Sequence, residues 1–302
     1  MNTVITYSRY GGPEVLVPSE AAIPQPGPGQ VRIRVKAVAV NLIDAKIRGG
    51  RLDGVIPVTF PVLPGWDVAG VVDAADDGAS ASAGDEVFGV AAVGGYSQYA
   101  LLDRPVAKPA GLSFEIAAAV VTVGETAFRG LKHLGLKAGQ TLLILGAGGS
   151  VGTIAAQLAV ARGITVIGTA GEGDLARLTA LGVTAVRYGD GWAERVRDAA
   201  AAGVDAVFDT SGAGLLGDAI ALAGDASRVI TIADPSAAEH GVRFTGQDPA
   251  DRAPEALPEL AALLANGEMT LPVWRSYPLA EAATAHADLE AGRNRGKIIL
   301  LP

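Results

Sequence analysis

With 302 residues, a formal net charge of −8, 49% hydrophobic and 19% charged residues, the chain suits about two domains with large apolar cores and excludes a disordered polypeptide. The acidic balance argues against an extended nucleic-acid surface, and no apolar run approaches the roughly 20 residues of a membrane helix. The absence of cysteine excludes disulfides and thiolate metal sites.

The opening MNTVITYSRYGGPEV has no basic stretch followed by an apolar one, so no secretory signal is expected and the cytoplasm is the default location. The first third reads as β-rich. After a Pro/Gly loop (PQPGPGQ), residues 31–40 (VRIRVKAVAV) alternate as a half-exposed strand does. Further short strands are expected at 68–74, 86–90 and 96–102, separated by Gly and Asp turns. From about Gly124 the pattern changes to helices alternating with apolar strands at 141–145, 165–169, 185–188, 206–209 and 228–232, with 242–245 as one more candidate. That alternation predicts an α/β doubly wound parallel sheet. Two helices, near 254–266 and 280–291, and a terminal strand KIILL close the chain.

The most informative stretch is 142–152, LLILGAGGSVG. A buried strand breaks into glycines and a helix opens, the sequence of events that points backbone N–H groups at a pyrophosphate. Ala147, Gly148, Gly149, Ser150, Val151 and Gly152 form an A-x-G-x-x-G variant of the dinucleotide fingerprint. Gly149 would let the backbone approach the phosphates, and Gly152 would let the helix pack close to the strand.

Motifs along nearly the whole length point the same way: YGGPEVL (10–16), NLIDAKIRGG (41–50), PGWDVAGVV (64–72), ETAFRGL (125–131), GVDAVFDTSG (203–212) and the closing YPLAEAATAHADLEAGRNRGKIIL. Together with the nucleotide loop they resemble the zinc-independent quinone oxidoreductase branch of the medium-chain dehydrogenase/reductase superfamily. The resemblance implies a GroES-like β-rich catalytic domain of residues 1–122 and 249–302, an inserted Rossmann domain of residues 123–248, and an active site in the cleft between them. In zinc-dependent relatives a cysteine, a histidine and a third ligand hold the catalytic metal. Here Asn41, Trp66 and Thr122 stand at the matching positions, and none is a good zinc ligand. The three histidines, His133, His240 and His286, are scattered and read as surface or helix-end residues. No metal is expected.

Without a Lewis acid to stabilise an alkoxide, such an enzyme suits acceptors that already take hydride readily, quinones or C=C bonds conjugated to a carbonyl. Hydrogen-bond donors must then meet the oxygen that collects negative charge. The resemblance puts Asn41 at the cleft as a donor, although an Asn closing the turn after the 31–40 strand reads equally well. Lys46 would supply positive charge or lie at the surface, and Asp44 would orient it or contact the nicotinamide ribose. Trp66 is a wall for a planar substrate or a core residue, and Asp67 ties the catalytic loops together. Thr126 would lie beside the nicotinamide or cap a helix. Tyr188 would wall the adenine pocket, Ser211 and Ile232 lie where strand ends meet the cofactor, and Arg295 in the 293–295 loop would approach it. Lys297 reads as structural. No residue stands out as an obligatory general acid, so solvent protonation is expected.

Ala170 and Gly171 end the second Rossmann strand where NAD-specific enzymes carry an acid, so NADP(H) is favoured over NAD(H). Against that, Gly173, Asp174 and Leu175 replace a common downstream cation, and Glu172 or Asp174 could bind ribose hydroxyls and select NADH. The reading is an NAD(P)H-dependent reductase of a quinone or enone, with a non-catalytic NADPH-binding protein of structural or regulatory role as the alternative. The partners expected are a small-molecule substrate and a second copy of the chain, paired through the 242–245 edge, with no nucleic acid and no membrane.

Overall fold

The computed structural model describes residues 1–246 and 248–302. Two antiparallel strands, β1 (Asn2–Thr6) and β2 (Val17–Ala21), open the chain. Next come β3 (Val31–Val40), α1 (Leu42–Arg48), β4 (Asp67–Ala75), β5 (Glu86–Val90), β6 (Tyr99–Leu102) and β7 (Val106–Ala107). α2 (Phe114–Leu134) precedes the alternating part: β8 (Thr141–Leu145), α3 (Ser150–Ala161), β9 (Thr165–Ala170), α4 (Glu172–Ala180), β10 (Thr184–Arg187), α5 (Trp192–Ala199), β11 (Ala206–Asp209), α6 (Leu216–Ala223), β12 (Val229–Thr231) and β13 (Arg243–Phe244). The chain ends with α7 (Ala256–Ala265), β14 (Val273–Pro278), α8 (Ala282–Glu290) and β15 (Lys297–Leu301).

These elements form two compact units, Met1–Thr122 with Leu257–Pro302, and Val123–Ala256. In the first, a seven-stranded sheet runs β14-β15-β3-β4-β5-β7, with β6 also pairing β3. The alternation of β3 holds for its first half, while its last four residues are all buried. That strand therefore carries the core at its C-terminal end, where Val38 and Val40 join Val68, Ile298 and Leu300. The C-terminal strand returns antiparallel to β3, pairing Ile298 with Val40 and Leu300 with Val38.

The second unit is a six-stranded parallel sheet in the order β10-β9-β8-β11-β12-β13. Leu142, Leu143, Ile144 and Leu145 of β8 are each fully buried, as helices on both faces require. Strand order reverses between β8 and β11, and ligands of such sheets bind beyond the strand ends at that switch point. The unit closes later than the expected residue 248. The segment leading to α7 is held to it by Ala253 N–H donating to Glu125 Oε1 at 2.8 Å and by the Arg243–Asp251 ion pair at 2.7 Å. Among the described residues no helix is long and apolar enough to cross a membrane.

Candidate functional site

The register of three strands gathers one polar cluster. β3 pairs Ala39 with Asp67 on β4 and, antiparallel, Val40 with Ile298 on β15, so Asn41, one residue after Val40, and Lys297, one residue before Ile298, face each other. Lys297 Nζ donates to Asn41 Oδ1 at 2.5 Å and to Val40 O at 3.1 Å. Asn41 Nδ2 donates to Asp67 Oδ2 at 2.8 Å, and Thr122 donates to the same carboxylate from Oγ1 at 2.6 Å and from its amide at 3.1 Å. Burial pushes the Asp67 carboxyl up and the Lys297 ammonium down, while their mutual attraction opposes both shifts.

A second line of hydrogen bonds meets this cluster at Asp44, in the first turn of α1. Asn41 N–H donates to Asp44 Oδ2 at 2.8 Å, the reciprocal bond of a helix capping box. Tyr96 OH donates to the same oxygen at 3.3 Å and lies 2.8 Å from His286 Nε2. Arg48 Nη1 lies 3.0 Å from His286 Nδ1, and Arg48 Nη2 binds both oxygens of Glu290 at 2.8 Å. A guanidinium has only donors, so Nδ1 must accept and Nε2 carries the hydrogen of the neutral ring. The Tyr96 oxygen then accepts from His286, and its own hydrogen is directed to Asp44. Burial, with Arg48 beside it, pushes His286 down to about 3 and keeps it neutral. Burial also pushes Tyr96 well up, and raises Asp44 to about 7 against the opposing bond from Asn41.

Asp44 lines a cavity of about 280 Å³ in the first unit, together with Ile47, Ile56, Val58, Val62, Leu63, Trp66, Val93 and Tyr7. The walls are mostly apolar. Tyr7 OH makes no hydrogen bond among the described residues, and burial raises its pKa to about 12, so it stays a donor throughout the working pH range.

In the second unit a cavity of about 590 Å³ opens at the ends of β8, β9 and β11, lined by Gly146, Gly148, Gly149, Thr169, Ala170, Gly171, Asp174, Tyr188 and Ser211 among others. Gly146 has φ +81°, a conformation that favours glycine. A Cβ on Gly152 would lie 2.5 Å from Gly146 O and 2.7 Å from the Ala147 Cα, so α3 packs on the loop only without a side chain there. On Gly149, a Cβ would find no atom nearer than 3.4 Å, which leaves its backbone open to the cavity. The N–H groups of Ser150, Val151 and Gly152 fall in the first turn of α3, where helix geometry supplies no carbonyl partner. Open backbone, orphan donors and a helix N-terminus fit a dinucleotide pyrophosphate.

The expected residues divide accordingly. Asp44 and Trp66 meet at the first cavity, and Gly148, Gly149, Ala170, Gly171, Tyr188 and Ser211 at the second. Ala147 is fully buried beneath its loop, and Ser150, Val151 and Gly152 form the helix start without lining the cavity. Ile232 is half-buried just beyond β12 and Arg295 is exposed; neither lines either of these two cavities. Asn41 spends its amide on Asp67 and Lys297 rather than on the cavity.

Three expectations need correction. Lys46 makes no hydrogen bond or ion pair with Asp44, whose partners are Asn41 and Tyr96; the cation of the cluster is Lys297. Thr126 lies mid-helix in α2 and accepts from Arg129 Nη2 at 3.2 Å, so it caps nothing. His286 is fully buried rather than at the surface. Arg48, Tyr96 and Glu290 carry no sequence signal of their roles, because their partners are distant in the chain, and Tyr7 meets the cavity only through the fold. Among the described residues no group of three His, Asp or Glu side chains gathers in metal-ligand geometry.

The chain matches the family model of the alcohol dehydrogenase GroES-like domain over residues 27–183 and that of the zinc-binding dehydrogenases over residues 181–300. It is 34% identical to a quinone oxidoreductase of Sus scrofa, covering 99% of this chain and 97% of that protein. A 2-methylene-furan-3-one reductase of Solanum lycopersicum is 31% identical, over 98% of this chain and 78% of that protein. The solved structure of the Escherichia coli quinone oxidoreductase complexed with NADPH superposes with a TM-score of 0.87 at 27% identity, covering 99% of this chain and all of that one.

Proposed function

This chain belongs to the quinone oxidoreductase branch of the medium-chain dehydrogenase/reductase superfamily, and from that premise we propose that it is a metal-independent reductase passing hydride from a reduced nicotinamide dinucleotide to a quinone or an α,β-unsaturated carbonyl. The observation that carries the reading is Asp44, a buried carboxyl raised to about 7 on the wall of an otherwise apolar cavity.

The nicotinamide supplies the hydride; the chain supplies position, donors and a proton. Gly148, Gly149 and the first turn of α3 hold the pyrophosphate, Ala170 and Gly171 leave room for the adenosine ribose, Tyr188 walls the base and Ser211 borders the same cavity. NADH and NADPH share the pyrophosphate, the base and the nicotinamide that this cradle would hold and differ at one ribose 2′-oxygen. In the first unit, Trp66 offers a flat wall to a planar acceptor. Tyr7 O–H donates to the oxygen that gains charge as hydride arrives at the acceptor, stabilising it in water-poor surroundings. Asp44, protonated up to about pH 7, gives the proton that completes a hydroquinone or a saturated carbonyl. Asn41, Asp67 and Lys297 position the start of α1 and so act through Asp44. A homodimer paired along the β13 edge of the parallel sheet belongs to the same proposal, and light scattering checks it.

The purified protein is expected to oxidise reduced coenzyme when a benzoquinone or an enone is added, with a rate unchanged by chelator, and to leave simple alcohols untouched. Chelator-resistant alcohol oxidation without quinone or enone reduction would overturn the proposal.

A further inference from the structure

We infer that the nucleotide cavity of the second unit selects NADH over NADPH, with the Asp174 carboxylate reading the adenosine ribose. The inference rests on the proposed coenzyme dependence and adds a choice between two coenzymes that the fingerprint loop cannot make.

Asp174 lies in the first turn of α4 and lines the cavity beside the glycine loop. A Cβ placed on Gly148 would sit 3.1 Å from its Oδ2. The two carboxylate oxygens are used differently. Oδ1 accepts from Arg177, from Nη2 at 2.9 Å and from Nε at 3.3 Å. Oδ2 takes no hydrogen bond among the described residues, and the side chain keeps 24% of its surface exposed. An acceptor with one oxygen anchored and the other open suits a ribose hydroxyl.

Arg177, the nearest cation along the sequence, is spent. Besides Asp174 it donates to Gly148 O at 2.8 Å and to Thr153 Oγ1 at 3.1 Å, and it does not line the cavity. The charged side chains that do line it are Asp174 and Asp190, both acids. A ribose with free 2′- and 3′-hydroxyls brings donors to this wall. Replacing the 2′-hydroxyl by a phosphate removes a donor and sets a dianion against two carboxylates, with no cation lining the cavity and the nearest guanidinium, Arg177, already bound to Asp174, Gly148 and Thr153. Space is not the discriminator, since Ala170 and Gly171 leave the strand end open; charge is. Sequence position alone misleads here because the acid arrives from the first turn of the following helix instead of the last residue of the strand.

Calorimetric titration of the full chain with NADH and NADPH decides the matter, repeated with adenosine 5′-monophosphate and adenosine 2′,5′-bisphosphate, which carry no hydride and so report binding apart from turnover. NADH is expected to bind at least about tenfold more tightly than NADPH, with the two fragments in the same order. In Asp174→Ser, which removes the carboxylate and releases Arg177, the preference is expected to shrink or invert. Equal binding, or tighter binding of NADPH and the bisphosphate by the unaltered protein, overturns the inference and leaves the reductase proposal standing. An unchanged preference in Asp174→Ser overturns the assignment to that residue. Failure of both coenzymes to bind removes the reductase proposal and the inference together.

Discussion

Because Asp44 is raised to about 7, the folded chain between pH 4 and 7 keeps a proton there that the unfolded chain has already released. The stability tied to that proton is intact at low pH and is lost as pH climbs through about 7. His286, lowered to about 3, works in the opposite sense: its contribution is present above about pH 6.5 and is lost as pH falls toward 3. The two slopes oppose each other across the acid range, so the unaltered protein hides both. Asp44→Asn removes one. Its unfolding free energy relative to the parent is expected to rise with pH between 4 and 7, by at most about 1.4 kcal/mol per pH unit, and to be level outside that window. Denaturant titrations at a series of pH values read this directly. Turnover of the parent with a quinone is expected to decline above pH 7, and Asp44→Asn to be about a hundredfold slower with no such limb. A limb retained in the variant assigns the proton to another group. Asp67, Lys297, Tyr96 and Tyr7 are the other titrating groups close to Asp44: burial moves Asp67 up and Lys297 down, but neither lines the cavity, and Tyr96 and Tyr7 are moved up, away from 7. Asp44 and Trp66 were legible because they lie within recognisable motifs. The line Arg48–His286–Tyr96 was not, since its contacts span 238 and 190 residues and depend on how α8 packs.

At the level of elements, β15 does more than complete a sheet. Its register delivers Lys297 to the Asn41 carbonyl oxygen and to the field of Asp67, inside a core where an unpaired charge is costly. Lys297→Met is expected to cost about 3–5 kcal/mol, because it leaves Asp67 buried without its counter-charge. Adding Asp67→Asn should recover most of that loss, since the second change removes the orphaned charge; thermal melts of the single and double variants test it. An additive double loss would mean that the two groups do not interact. In the second unit, Gly152→Ala is expected to cost about 1–3 kcal/mol through the clash with Gly146 O and to weaken coenzyme binding, because the loop must move. Such elements were the most legible part of the chain. The strands at 31–40, 86–90, 141–145 and 206–209 appear where alternation or an apolar run places them. The pair β1 and β2 escaped notice because β2 (VPSEA) is short, largely exposed and interrupted by proline. α1 escaped because it is only 7 residues long and lies in a motif read for its chemistry.

Over the whole molecule, charge sets how coenzyme arrives. A net charge of −8 gives the approaching nucleotide a repulsive field, and the cavity of the second unit adds Asp174 and Asp190 at its wall. Orphan N–H groups at the start of α3 attract only at short range, within the last few ångströms. Salt screens the long-range repulsion over a Debye length of about 8–10 Å and leaves the close contacts nearly untouched. Raising ionic strength is therefore expected to quicken coenzyme association. The gain should be larger for NADPH, which carries two more negative charges than NADH, and the affinity gap between them should narrow as salt rises. Stopped-flow measurement of nicotinamide fluorescence from low to moderate salt separates the cases. Association that slows with salt for both coenzymes would require a cationic approach surface, contrary to the acidic composition of the chain and of the cavity wall.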